Sequence, residues 1–317
     1  MHSTWAQIVD AYEAHPSKDY ALVTLVTKKG SSYLQPGARL LVCENGQFWG
    51  EISAGCLETE VASQAISCLK RRQHNLFSFD TRPYYGCFGE ITLLIEVIQD
   101  KAAFRALLHE VRDAREKRRD IQIITDYHEL GPPTLTSRLS QDQPLRERNL
   151  VETLKPPFQL IVLGDWPDGK SIAELGNKVG WETSLYDAST PSSSLKEIFA
   201  GQKIDQETAV VLATHNLARD VSYLERVLRL NYGYIGVIGS KKRRQELTRR
   251  IADRGDFELI EKLHSIHCPA GLNLGGEGAQ AIALSVVSEI QATLHKREAG
   301  SLLRQMPEVQ SESVTSC

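Results

Sequence analysis

No apolar run in this chain is long enough to cross a bilayer, and its first residues, MHSTWAQIVDAYEAH, lack the basic start and apolar core of a secretory leader. The cytoplasm is therefore the expected compartment. Strong charge of one sign is also missing: 37 Lys and Arg stand against 40 Asp and Glu, for a net charge of -3 with both signs interspersed. That balance gives no footprint for nucleic acid or an anionic membrane. The six cysteines (43, 56, 68, 87, 268 and 317) include no CxxC pair, and a chain of 317 residues has no need of disulfide staples. They read as free thiols. HExxH, GxSxG and P-loop motifs are absent, and two candidate cysteines without matching histidine spacing make no zinc site. A metal would have to arrive inside a cofactor.

What is present is length enough for two domains. Residues 3–14 set Trp5, Ile8, Val9 and Tyr12 at helical spacing, Ala21 to Val26 reads as a buried strand, and ARLLV and FWGEIS flank an Asn45-Gly46 hairpin signal. Leu57 to Arg72 follows as a helix with Leu57, Val61, Ala65 and Cys68 on one face, so Cys68 belongs to a core. A strand at 91–98, a charged helix at 101–118 and a strand at 121–125 complete a mixed α/β domain over residues 1–150. Residues 126–157 carry Pro132, Pro133, Pro144, Pro156 and Pro157 and place the domain junction here, as a long linker or a partly folded segment. From 158 to 299 strands and helices alternate, as in a Rossmann-like, doubly wound parallel sheet. Its last helix, Ala279 to Lys296, keeps Ile282, Val286 and Ile290 in line, and 300–317 is a polar tail.

Cys56 is the leading candidate for chemistry. It lies in a small-residue loop just before a helix, where backbone N–H groups lower a thiol's pKa and favour the thiolate. Glu58, in the first turn that follows, reads as a residue favoured by the helix dipole. In the second domain, a strand ending in Gly164 and an acid, Asp187, closing the next strand match the way dinucleotide folds hold pyrophosphate and ribose. The loop between reads Gly164-Asp165-Trp166-Pro167-Asp168-Gly169. Trp166 stands where the second glycine would let backbone approach a diphosphate, and with two carboxylates beside it NAD(P) is the lesser expectation. His215, after a buried strand, could hydrogen-bond a phosphate, pterin or carbonyl, or simply hold loop backbone together. Asp220 reads as a cap or dipole partner. Four cations, Lys241 to Arg244, open a helix where the dipole disfavours them, which suggests an anion held by Ser240, Lys241 and helix N–H groups. Arg243 and Arg244 read as a solvated basic face. By spacing alone Ser31 and Ser32 form a turn, and Cys43 and Cys268 are structural.

The blocks GSSYLQPGARLLV (30–42), SAGCLE (53–58), YGCFGEITLLIE (85–96), ATHNLARD (213–220), YIGVIGSKKRRQEL (234–247) and CPAGLNLGGEGAQAIALSVVSEI (268–290) occur in the order of a known family. The chain resembles the XdhC/CoxI family, accessory factors of molybdenum hydroxylases such as xanthine dehydrogenase. It departs from the family pattern at Tyr33, Leu34, Ser53, Ala54, Phe88, Asn273 and the Trp166 loop. The resemblance implies a cytoplasmic, homodimeric accessory protein that binds molybdenum cofactor, assists its sulfuration by a cysteine desulfurase, and delivers it to a molybdenum hydroxylase. It implies Cys56 as the thiolate that meets molybdenum or sulfur, Ser31, Ser32, Arg39, Gly55 and Cys87 as ligand contacts, and a cleft between the two domains. Two other readings stand beside it: an NAD(P)-dependent oxidoreductase with His215 as acid or base, and a scaffold that has lost cofactor binding.

Overall fold

The computed structural model describes residues 2–30, 34–53, 55, 57–80, 89–127, 138–139, 148–201 and 203–301. The chain divides into two compact units, Met1–Pro157 and Phe158–Cys317. Among the described residues no helix is long and apolar enough to cross a membrane.

The first unit is built on an antiparallel sheet of β1 (Tyr20–Gly30), β2 (Arg39–Cys43), β3 (Phe48–Glu51), β4 (Asn75–Asp80) and β5 (Gly89–Val97), in the order β3-β2-β1-β5-β4. Strand pleat sends alternate residues of β1 to opposite faces. Tyr20 and Leu22 pack with Ile8 of α1 (His2–Ala14) and Phe104 of α3 (Lys101–Glu116). Ala21, Val23 and Leu25 pack with Val61 and Ala65 of α2 (Glu58–Arg71), and Cys68 of that helix is buried in the same cluster. One strand thus serves two cores. Apolar patterning does not reveal β4, because NLFSFD on the sheet edge buries no side chain fully.

The proline-rich stretch is more than a connection. β6 (Ile121–Asp126) pairs antiparallel with β7 (Arg138–Leu139) and with β8 (Asn149–Leu154), from Ile121↔Leu154 to Asp126↔Asn149. β8 turns Glu152 and Leu154 inward, and an inward glutamate is what an apolar pattern does not register.

The second unit is a parallel sheet of β9 (Gln159–Leu163), β10 (Glu182–Tyr186), β11 (Thr208–Leu212) and β12 (Tyr234–Val237), ordered β10-β9-β11-β12. Helices α4 (Pro167–Lys178) and α9 (Ala279–Leu294) contribute to the core holding Leu160 and Val162, and α6 (Leu217–Val227) and α7 (Lys241–Ala252) to the core holding Ile161 and Leu163. This is the Rossmann-like half of an α/β chain, as the alternation predicts. Short helices α5 (Leu195–Ala200) and α8 (Phe257–Lys262) escape periodicity at six residues each. In α9 the buried residues are Ala283, Val286, Val287 and Ile290, while Ile282 is 37% exposed, so the inward face is rotated from the predicted line.

Tyr234 of β12 anchors the segment after it. Its hydroxyl donates to Glu289 Oε2 at 2.6 Å, the same oxygen accepts the Gly271 N–H at 2.7 Å, and His267 Nδ1 lies 3.2 Å from Oε1. One carboxylate therefore ties α9 to the 267–271 loop.

Candidate functional site

In the second unit β9 lies between β10 and β11, so the chain leaves it in opposite directions and a crevice opens at the carboxyl ends of the strands. A cleft of about 560 Å³ sits there, lined by Trp166 and Lys170 around the start of α4, by Asp187 after β10, by His215 after β11 and by Arg219 in the first turn of α6 (Leu217–Val227). Gly164 adopts φ +127°, and a Cβ on it would come within 2.2 Å of the Ala213 carbonyl oxygen. A Cβ on Gly169 would lie 1.9 Å from the Gly164 carbonyl oxygen. These two glycines serve the close crossing of turn, helix and strand.

His215 is held unusually. Its backbone sits at φ +53°, a left-handed conformation that a non-glycine residue keeps only where its surroundings compel it. Its Nε2 is 2.9 Å from Oδ2 of Asp168, a buried carboxylate whose Oδ1 accepts the Gly169 N–H at 2.9 Å. Trp166, half exposed, meets the imidazole edge to face with ring centroids 6.3 Å apart. The ring is thereby oriented by one acid and one aromatic.

Asp187 is exposed at the cleft, and hydrogen bonds from the Ser189 hydroxyl and N–H hold its carboxyl below the usual carboxylate range. Asp165 Oδ1 accepts the Ala188 N–H at 3.0 Å, joining the first loop to the second. Beneath the cleft, Asp220 is fully buried and accepts from the Thr214 hydroxyl and from Arg243, whose Nε lies 3.0 Å away. Burial pushes the Asp220 carboxyl up despite these partners. Arg243 is therefore no solvated cation, and neither is Arg244, whose Nη1 donates to the Ile266 carbonyl at 3.1 Å. Asp220 is an internal counter-ion and not a cap; Asn216 caps α6 by accepting the Arg219 N–H. Ser240 caps α7 by accepting the Arg243 N–H, and neither it nor Lys241 lines the cleft. Trp166, Lys170 and Arg219, not singled out from sequence as ligand contacts, do. Arg219 stands three residues after a helix-capping asparagine, the signal by which it could have been found.

The first-unit candidates are placed differently. Ser31, Ser32, Cys56 and Cys87 lie outside the described residues. Gly55, at φ +94°, borders a cavity of about 390 Å³ with Thr4, Gln7, Glu51 and Glu58. Glu58 itself is buried and accepts from the N–H groups of Ile52 at 3.1 Å, Ser53 at 2.7 Å and Leu57 at 3.2 Å, and from the Ser53 hydroxyl at 2.5 Å. Burial raises its carboxyl, and these hydrogen bonds outweigh that effect and hold it below the usual range. Glu58 is thus a clasp joining Ile52 and Ser53 to Leu57 at the start of α2. Glu58→Ala is expected to destabilise by about 2 kcal/mol, since it strands several buried donors. A melting curve unchanged from wild type would show that the clasp contributes nothing.

Arg39 is committed inward: fully buried, it donates from Nη1 to Glu152 Oε1 and the Gly37 carbonyl, both at 2.8 Å, and from Nη2 to Thr125 Oγ1 at 3.1 Å. Its guanidinium carbon lies 4.8 Å from the Trp5 ring centroid. That guanidinium organises the fold and presents no donor to a cleft. Cys43, Cys68 and Cys268 are buried free thiols. Burial raises the Cys68 thiol and pushes Cys268 up to about 11, which suits structural roles. Among the described residues no group of three or more His, Cys, Asp or Glu side chains could hold a metal ion.

Comparison with known proteins adds a lineage to this geometry. Residues 160–290 match the XdhC Rossmann domain, and residues 14–80 match the XdhC and CoxI family, one match in each unit. The molybdenum cofactor insertion chaperone PaoD of Escherichia coli K12 is 25% identical over 288 residues, covering 89% of this chain and 86% of its own. A second relative, described as a probable subunit of xanthine dehydrogenase in Bacillus subtilis 168, is 25% identical over 87% of this chain and 93% of its own. A crystal structure described as a xanthine dehydrogenase from Bacillus halodurans superposes with a TM-score of 0.71 at 22% identity, covering 94% of this chain and 98% of that one. That likeness bears on the fold alone. With both of its units matched in this way, the chain belongs to the XdhC/CoxI family.

Proposed function

We propose that this protein holds molybdenum cofactor as cargo during its maturation and hands it to a molybdenum hydroxylase of the xanthine dehydrogenase kind. The observation that carries the reading is the pair of family matches, supported by an insertion chaperone that aligns with 89% of the chain. The second-unit cleft offers what a pterin cargo needs: an exposed indole for a planar ring, Lys170 and Arg219 for a phosphate, and Asp187 as an acceptor for ring N–H groups. In the first unit, Cys56 is the soft ligand suited to molybdenum or to a sulfur atom passed to it. Close to Cys56 in sequence, Glu58 accepts hydrogen bonds from the N–H groups of Ile52 and Ser53. Sulfuration of the bound cofactor by a cysteine desulfurase, a homodimeric assembly and a cytoplasmic setting complete the proposal.

The test is an anaerobic titration of the purified protein with molybdenum cofactor, NADH and NADPH, repeated on Cys56→Ala and His215→Ala. Cofactor binding without nicotinamide binding is expected, weakened at least tenfold by Cys56→Ala, or about 1.4 kcal/mol. Nicotinamide binding without cofactor binding would overturn the reading.

A further inference from the structure

Rossmann-type sites hold dinucleotides by bringing the N–H groups of a glycine-rich turn and the following helix against a pyrophosphate. The second unit has the sheet, the switch point and two of the turn's glycines, yet separate features close that turn to such a ligand. Trp166 occupies the position where a glycine would let backbone reach the pyrophosphate, and it also serves as the N-cap of α4. Pro167, the first helical residue, has no N–H to give. The Gly169 N–H is already taken by the Asp168 carboxylate, so the helix end carries an internal anion of its own, pinned there by His215. Across the cleft, the exposed Asp187 adds a further negative charge.

What remains is a different donor set. Lys170 and Arg219 line the cleft and both act on the Asp187 carboxylate at a distance, without closing an ion pair to it. The Lys170 ammonium as a point donor and the Arg219 guanidinium as a bidentate fork can reach the oxygens of one terminal phosphate without a backbone cradle. Beside them the half-exposed indole of Trp166 offers a stacking surface, and about 560 Å³ has room for a heterocycle with a phosphate.

We propose that this cleft binds a ring-bearing phosphomonoester and excludes pyrophosphate-linked nucleotides. NAD(P) accordingly does not fit the residues present. One consequence rests on the proposed function: if the cargo is a pterin, the cleft accepts the form ending in a single phosphate and rejects the dinucleotide form.

The experiment is isothermal titration of the full chain with AMP and GMP, as ring-bearing monoesters, and with ADP-ribose and NADH, as pyrophosphates. At least one monoester is expected to bind ten times more tightly than either pyrophosphate, with Lys170→Ala or Arg219→Ala lowering its affinity about tenfold. The double variant Trp166→Gly, Pro167→Ala, its fold checked by circular dichroism, is expected to lose that preference by gaining ADP-ribose binding. Wild-type protein that binds ADP-ribose or NADH as tightly as AMP and GMP, or binds none of the four, overturns the inference, as does a double variant with unchanged preference. None of these ligands contains pterin or molybdenum. Selective monoester binding alongside a failed cofactor titration would therefore sink the proposed function alone, and the converse pair of results would sink this inference alone.

Discussion

Arg39→Ala is expected to cost about 3 to 5 kcal/mol of stability, the range found when one partner of a buried ion pair is removed. The guanidinium is fully buried and neutralises Glu152, whose side chain is 5% exposed, and it is the cation that acts on Glu96. Alanine would leave both carboxylates in the interior without it and would strip the cation from the Trp5 face. Chemical denaturation measures the effect, as a lower midpoint at unchanged slope. The double variant Arg39→Met, Glu152→Leu removes both charges at once and is expected to recover much of the loss. A cost below about 1 kcal/mol for Arg39→Ala would mean that the side chain is not committed to the fold, and would return it to the list of possible ligand contacts.

Glu96 yields the second large effect, and its sign runs against the usual carboxylate. Burial raises its pKa from 4.5 to about 7, against the pull of Arg39, and Oε2 has no hydrogen-bond partner among the described residues. Between those two values the native protein holds a proton that the unfolded chain has released. Stability from this group is thus fully present below pH 4.5 and is lost as pH rises towards about 7. The shift corresponds to about 3 kcal/mol. Glu96→Gln, which cannot ionise, is expected to be more stable than wild type by about that amount at pH 8 and nearly equal to it at pH 4. Comparing variant with wild type at each pH cancels the opposite trend from Glu58, whose lowered carboxyl contributes stability that is lost on acidification. A stability difference that stays flat from pH 4 to pH 8 would show that Glu96 ionises in the native protein much as it does in the unfolded chain.

These two residues also mark where sequence reading stopped. Continuous apolar runs find β1, β9 and β11, whose stretches buried on both faces are made mostly of Val, Leu, Ile and Ala. They pass over β8, where an inward position is Glu152, and over β4, an edge strand with polar residues interleaved. The Rossmann-like turn is legible from Gly164, Gly169 and Asp187, and so is the obstruction at Trp166. What Trp166 does instead is not legible, since its partner His215 comes from a different strand end. The same distance hides Asp220 from Arg243: each looks like a helix-terminal charge, and only the fold makes them one pair. Arg244 is hidden in the same way, its partner being the carbonyl of Ile266. Local patterns encode which face of an element is apolar, whereas a buried polar pair is encoded only by the tertiary path that joins its members.

The placement of β1 has a consequence for how the protein is made. Its ladder to β2, and that of β2 to β3, involve residues close in sequence, from Tyr20↔Cys43 to Arg39↔Glu51. Its other ladder waits for β5, with Ala21 opposite Val97. On the ribosome a three-stranded meander can therefore close while the opposite edge of its longest strand still has no partner, and that edge carries Val23 and Leu25 on a face destined for the core. Until residue 97 clears the exit tunnel, the nascent chain presents an unpaired, apolar strand edge, the feature most prone to wrong pairing. That interval is the time taken to synthesise the α2 and β4 region, which lies between the two partners of β1.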